Sequence, residues 1–563
     1  MVRKIWLEHY PKGIPAEINP DVYQSVVEIF EESCKNFADL PAFYNLGTTL
    51  TYQQVELFTR AFAAYLQNEL KLKKGDRLAV MMPNMLQYPI VIFGALRAGV
   101  TVVNVNPLYT VPELVHLMND AGAETIIVLA NFAKTVQDGL PQMPQLKHIV
   151  VTEMGDLLSP WKAFFINFYL RYVKRKVPAL TLQNPISFKD VLQKGAAQTL
   201  QPVAISHQDI AFLQYTGGTT GVAKGAMLTH RNIVANILQA QAWLESIFVP
   251  GKEIAITAIP LYHIFSLLAN CMIIFKVGGY NILVTNPRDL RQMVAEISKF
   301  KFSVITGVNT LFNVLESDAK FRKLDFSALK LSLAGGAALQ QAVAERWKAL
   351  TGCVLLEAYG LTEASPAVTV NPPDLKAYNG TVGLPIPSTD ICIFGENGSE
   401  LSINEIGELG IKGPQVMLGY WNQPEETAKA FTKENWLLTG DIVRINPDGF
   451  IKILDRKKDM VLVSGFNVYP NEVEDVLVSM PGIKEAAVIG VPDEKTGEAV
   501  KAFIVKSNPN LTAEDIIKFC HASLTGYKVP QHIEFRQELP KTNVGKVLRR
   551  ALKDQSKSGM VEH

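Results

Sequence analysis

One long uncharged stretch of the chain, residues 78–96, is interrupted by Pro83, Asn84, Gln87 and Pro89. A membrane-crossing helix needs ~20 consecutive apolar residues, so this pattern reads instead as a buried strand (78–81), a turn, and a helix ending near Gly99. A β-branched run at 101–105 follows, completing a β-α-β unit. Upstream, Thr51-Tyr52-Gln53-Gln54 has the spacing of a capping box and predicts an amphipathic helix from there through Leu66. Further buried strands are predicted at 125–130, 210–215, 254–259, 303–305, 330–333 and 353–356, with a helix over 232–243. Strands alternating with helices in this way predict an α/β fold built on mostly parallel sheets.

After about residue 380 the texture changes. Short strands at 407–412 and 449–454 lie between Gly, Pro and Asn residues, which predicts a β-rich subdomain. The charged run Asp455-Arg456-Lys457-Lys458-Asp459 then separates it from an α/β-patterned tail long enough for a small domain. The expected division is therefore residues 1–457 and 458–563, with the boundary at Lys458.

A formal charge of +1 argues against wholesale nucleic-acid binding. The 48% hydrophobic content leaves ample surface for a core and an apolar pocket. Five scattered cysteines without a C-x-x-C pair exclude a disulfide framework or zinc site and fit a reducing cytoplasm. The first residues lack the apolar stretch of a signal peptide.

The densest chemistry lies in YTGGTTGVAKG, from Tyr215 to Gly225. Glycines Gly217, Gly218 and Gly221 let backbone N–H groups approach an anion. The hydroxyls of Thr216, Thr219 and Thr220 suit phosphate oxygens or magnesium, and Lys224 adds a point charge. The pattern differs from the NTPase loop, which follows Gly-Lys with Ser or Thr, and from the dinucleotide G-x-G-x-x-G. It predicts a nucleotide-phosphate loop. Downstream, Glu363 of Tyr359-Gly360-Leu361-Thr362-Glu363 is a candidate magnesium ligand. Asp441 of Thr439-Gly440-Asp441 is placed to bind ribose hydroxyls. Pro540-Lys541-Thr542-Asn543-Val544-Gly545-Lys546, followed by Leu548-Arg549-Arg550, sets a lysine on a glycine-containing turn. His263 sits among apolar residues, and neither H-E-x-x-H nor G-x-S-x-G occurs, so neither a zincin nor an α/β-hydrolase is indicated.

The run 161–176, opening on Trp161 and closing on Lys176, holds six aromatic and five basic residues and no acid. It reads either as an interfacial membrane helix or as a surface helix whose aromatics pack on the core.

Taken in order, these segments resemble the acyl-adenylate-forming superfamily of acyl-CoA synthetases, luciferases and peptide-synthetase adenylation domains, and the likeness spans essentially the whole chain. Residues 434–458 resemble the fatty-acyl-CoA synthetase signature, and the chain as a whole resembles bacterial long-chain fatty-acid–CoA ligases. Two departures stand out. Asn435 replaces the signature's glycine, which implies a local change of turn. Leu267 stands where some long-chain members place a gating tryptophan.

The resemblance implies ATP, magnesium and coenzyme A as cofactor and co-substrates, and a fatty acid as substrate. Lys546 would bridge the carboxylate and the α-phosphate. Thr216 and Glu363 would hold magnesium, while the phosphate loop, Thr219, Thr220 and Lys224 included, would hold the β- and γ-phosphates. Asp441 and Arg456 would hold the ribose. Gly335, Gly336, Ala337, Tyr359, Gly360 and Thr362 would form the adenine wall, and His263 would line the acyl mouth. It also implies a small mobile C-terminal domain turning about Lys458, which withdraws Lys546 and brings the face at Ser464 and Gly465 toward the pantetheine channel. Three alternatives stay open: a medium-chain or aryl-carboxylate ligase, distinguished by substrate profile; a luciferase-type oxidase, distinguished by light emission with luciferin; and a membrane-associated nucleotide-binding scaffold, distinguished by absence of turnover. Peripheral attachment to the inner face of the membrane and a homodimer remain open with them.

Overall fold

A computed structural model describes residues 4–179, 181–182, 184–216, 223–542 and 545–558. The predicted capping box is present: the Thr51 hydroxyl accepts from the Gln54 N–H and Gln54 accepts from the Thr51 N–H, opening the helix Tyr52–Asn68. The stretch at 78–96 divides as its polar interruptions predict, into the strand Arg77–Met81 and the helix Gln87–Arg97. That helix is apolar nearly all round and almost wholly buried, as a helix packed on several sides must be.

Two large sheets dominate the N-terminal part. One runs through Ile186–Ser187, His148–Thr152, Thr125–Leu129, Arg77–Met81, Thr101–Asn104, Ile210–Thr216 and Lys224–Thr229. Its pairings are parallel except for the last, where Ile210–Thr216 and Lys224–Thr229 form a hairpin around the predicted phosphate loop. The other sheet has nine strands. Its parallel centre includes Ile254–Thr257, Val304–Gly307, Leu331–Gly335 and Leu355–Gly360, and antiparallel strands close both ends. The last strand starts at Leu355, two residues later than expected, because Gly352 in the left-handed region ends the helix Gln341–Thr351 and Cys353 caps back to Thr351.

The β-rich part is a four-stranded antiparallel sheet of Asp390–Phe394, Ile406–Lys412, Leu437–Ile445 and Ile451–Arg456. A turn at 457–459 leads from it to a five-stranded mixed sheet with its own buried cluster, including Val461, Val488, Val500 and Ile504.

The segment 161–176 corrects one of its two readings. It forms a helix, Pro160–Phe168, continued by a π-helical turn, Tyr169–Val173. Its aromatics do not pack on the core. Trp161 is 78% exposed and Phe164, Phe165 and Tyr172 are 62, 62 and 63% exposed. Phe168 lies over Phe164 and against Tyr172, with ring centroids 6.0 and 5.0 Å apart, so one turn after another presents an aromatic to solvent. No described helix is long and apolar enough to cross a membrane.

Asn435 has φ +62°. The position expected to favour glycine therefore keeps a left-handed turn, filled by the non-glycine residue that tolerates it best. Asn435→Gly should leave the melting temperature nearly unchanged, whereas Asn435→Val, forced into the same turn, should cost roughly 1–2 kcal/mol and lower it.

Candidate active site

A cavity of about 1700 Å³ lies between the strand ends of the nine-stranded sheet, the phosphate-loop hairpin and the C-terminal domain. Thr216, Gly335, Tyr359 and Gly360 stand at the C-terminal ends of their strands, where open α/β sheets leave a crevice for ligands. Lys224, His263, Gly336, Ala337, Thr362 and Glu363 line the same cavity, as do Asp441 and Arg456 from the antiparallel sheet and Lys458 and Lys546 from beyond it. Gly217, Gly218, Thr219, Thr220 and Gly221 lie outside the described residues. Ser464 and Gly465 are not brought in: they form an exposed turn elsewhere on the C-terminal domain.

Lys546 enters on a tight turn. Its N–H donates to the Thr542 hydroxyl at 3.1 Å, and the Thr542 N–H donates to its carbonyl at 2.7 Å. Gly545 has φ +87°, and a Cβ there would come within 2.6 Å of the Thr310 hydroxyl. The chain that delivers the lysine thus sits directly against the N-terminal domain. Burial lowers the Lys546 ammonium to about 8, with Arg456, Arg549 and Lys458 adding to the fall and Asp441 opposing it. Lys458 is likewise lowered to about 8, chiefly by burial and then by Arg456. A cavity so rich in cations is poised for a polyanion.

Asp441 is buried. It accepts from the Tyr359 hydroxyl at 2.6 Å and pairs with Arg456 at 3.1 Å. This fixes the carboxylate while leaving lone pairs for hydroxyl donors. Glu363 accepts from the Tyr420 hydroxyl at 2.8 Å through one oxygen. This carboxylate and the Thr216 hydroxyl, lining the same cavity, are donors suited to magnesium arriving on a polyphosphate, since that ion keeps most of its ligands as water and phosphate oxygen. Lys224 is held by Glu426 and lies over the Tyr420 ring, 5.0 Å from its centroid, so it must exchange Glu426 for a phosphate to act as predicted. His263 is held neutral: burial and then Lys546 lower it to about 4. Its Nδ1 accepts from the Phe265 N–H at 3.3 Å, which leaves the proton on Nε2.

One arm of the cavity is apolar. The helical segment 264–276 contains a π-helical stretch, Leu267–Ile273, and turns Phe265, Leu268 and Ala269 to the cavity opposite Leu333. Trp243 and Leu244 of the helix His230–Leu244 line it further on. Leu267, the expected gate position, is fully buried and not in the wall. The aromatic at the junction is Phe265, whose ring is 3.2 Å from where a Gly335 Cβ would stand. Sequence reasoning offers the apolar run 261–272 as tunnel lining without singling out Phe265, and it misses Glu357. The Glu357 carboxyl accepts from the Leu339 N–H at 3.2 Å, and burial pushes it up to about 8. It anchors the loop that continues from Gly336 and Ala337. Its place two residues before Tyr359 was the available sign.

Residues 30–421 match the AMP-binding enzyme family, and residues 472–546 match the AMP-binding enzyme C-terminal domain. The chain is 54% identical to a long-chain-fatty-acid–CoA ligase of Salmonella typhimurium, covering 99% of each chain. It is 49% identical to one of Haemophilus influenzae over the full length of both. Among solved structures, an anthranilate CoA ligase in complex with anthranoyl-AMP superposes with a TM-score of 0.85, at 25% identity, covering 97% of this chain and all of the other.

Gly360 admits no side chain: a Cβ would fall 2.0 Å from the Pro366 carbonyl oxygen. Gly360→Ala should force the strand end that carries Tyr359 away from this backbone, costing about 1–3 kcal/mol. Nucleotide affinity, measured by calorimetric titration with ATP, should fall in parallel.

Proposed function

The chain belongs to the AMP-binding enzyme family, and we propose that it activates long-chain fatty acids as coenzyme A thioesters by way of an acyl-adenylate. What carries this reading is one continuous cavity with a cationic, hydroxyl- and carboxylate-lined end for a nucleotide and an apolar arm for an acyl chain. In the first step a carboxylate oxygen attacks the α-phosphorus of ATP. The bond to the bridging oxygen breaks, and pyrophosphate leaves. In the second step the sulfur of coenzyme A attacks the acyl carbon and AMP departs with its phosphate oxygen.

The first step joins two anions, so it needs charge stabilisation above all. Lys546 stands between the carboxylate and the α-phosphate and offsets the charge of both. Asp441 and Arg456 hold the ribose; Tyr359, Gly360, Thr362 and the Gly335–Ala337 backbone bound the adenine. Thr216, Lys224 and the phosphate loop take the outer phosphates. Magnesium, when bound with ATP, would be held by Glu363 and Thr216 and would neutralise phosphate charge. His263, neutral with its proton on Nε2, lines the acyl mouth without repelling Lys546. The arm beyond Phe265 rewards length, because each buried methylene contributes roughly 0.8 kcal/mol. The second step requires the C-terminal domain to turn about Lys458, so that Ser464 and Gly465 reach the channel for pantetheine. Activity across acids from acetate to oleate, with coumarate included, tests the substrate. Thioester formation should peak with long chains; a peak at short or aryl acids would contradict the assignment.

The exposed aromatic helix belongs to the same reading. Exposed Trp161, Phe164 and Phe165, on a helical segment followed by the exposed cations Arg175 and Lys176, suit an anionic lipid surface, the phase from which a long-chain acid is drawn. The triple variant W161E/F164E/F165E should lose most of its co-sedimentation with vesicles rich in phosphatidylglycerol while keeping its activity on a micellar acid. Undiminished binding would contradict this role.

Lys546→Ala should abolish adenylation yet largely spare thioester formation from supplied palmitoyl-adenylate; equal loss of both would contradict the two-step assignment. Because the lysine is lowered rather than raised, its charged form is complete well below pH 8 and disappears as pH rises through about 8. The kcat/KM of adenylation for ATP, which reports the free enzyme, should therefore fall on the alkaline side, and Lys546→Arg should remove that fall from whatever activity it retains.

A further inference from the structure

The segment that carries Lys546 continues into Arg549, the first residue of the helix Arg549–Ser558. Arg549 stands in the cavity wall and reaches into a partly buried cluster of acids. One guanidinium nitrogen pairs with Asp455 at 3.0 Å, and the other pairs with Glu474 at 2.8 Å and donates to the Asn471 side chain at 2.6 Å. Nε donates to Glu474 at 3.2 Å, and Asp459 lies 3.8 Å away.

These partners come from both sides of the boundary at Lys458. Asp455 belongs to the strand Ile451–Arg456 of the antiparallel sheet, before the turn, and its carboxylate is fully buried. Asn471 and Glu474 belong to the helix Pro470–Ser479 of the C-terminal domain. Asp455 also accepts from the Asn471 N–H at 2.8 Å, and the Asn471 amide reaches the Leu454 carbonyl at 3.2 Å. The fork of a guanidinium is the group that can hold two carboxylates and an amide at once.

We propose that Arg549 is the positioning residue for Lys546: by clamping the lysine's own segment onto Asp455 across the domain boundary, it sets the geometry of the adenylation step. This rests on the two-step reading above. The Arg549–Glu474 contact lies within the C-terminal domain and can travel with it. The Arg549–Asp455 contact crosses the boundary and must break when the domain turns. The clamp therefore stabilises one of the two arrangements only, and its loss weakens one half-reaction only.

The test separates the halves. Arg549→Gln and Asp455→Asn are assayed for palmitoyl-adenylate formation from palmitate and ATP, and for thioester formation from supplied palmitoyl-adenylate and coenzyme A. A lysine misplaced by about 1 Å costs on the order of 10²-fold in rate, so the kcat of adenylation should fall by about that factor in Arg549→Gln, with the KM for ATP little changed and the second half-reaction retained. Asp455→Asn, which leaves the contacts to Glu474 in place, should show the same split and carries the test if Arg549→Gln does not fold. Equal loss of both halves, or loss of neither, overturns the proposal. Wild-type protein that forms no acyl-adenylate from any fatty acid would overturn the functional reading instead.

Discussion

The structure is organised around a cation brought where cations are already dense. Lys546 shares the cavity with Arg456 and Lys458, and burial together with these neighbours weakens its hold on a proton. Like charges at such proximity repel, so the arrangement is stable only with anions placed to oppose it. Asp441 does so by pairing with Arg456, and Asp455, Glu474 and Asp459 do so through Arg549. A bound triphosphate would oppose the cations around Lys546 further. Nucleotide binding and domain placement are thus two parts of one electrostatic problem.

The sheets serve this placement. Strands of the two large sheets end at a common space, Thr216 from one and Gly335 and Tyr359 from the other, and the antiparallel sheet adds Asp441 and Arg456. Asp441 and Arg456 are paired neighbours on adjacent strands, so their ion pair follows directly from strand register. The apolar arm comes from different elements. The segment 264–276 is wound with a π-helical stretch, a form that often appears where a helix borders a functional space.

Much of this was legible in the sequence, for identifiable reasons. Strands and helices near residues 78–104 could be read because their periods and breaks are strong, and the capping box at Thr51 because its spacing carries its own hydrogen bonds. The motif residues could be read because glycine, threonine, lysine and acid at fixed spacing have few structural uses. Phe265 could not be singled out within its apolar run, nor Glu357 found at all, because their roles depend on what lies across the fold, Gly335 for one and the Leu339 N–H for the other. Arg549 was visible as one charge in a basic tail, a pattern that ordinarily means only solvation. Its partners at 455, 471 and 474 are distant in sequence, and no local pattern announces them. The segment 161–176 stayed ambiguous because composition gives the content of a helix but not its burial.

The central claim is that one cavity holds the nucleotide at its cationic end and the acyl chain in its apolar arm. A crystal structure with a non-hydrolysable palmitoyl-adenylate analogue tests it most directly. The account predicts the ribose on Asp441, the acyl phosphate within reach of Lys546, and the chain running past Phe265 and Leu268 toward Trp243. A chain lying outside that arm, or a ribose held away from Asp441, would contradict it.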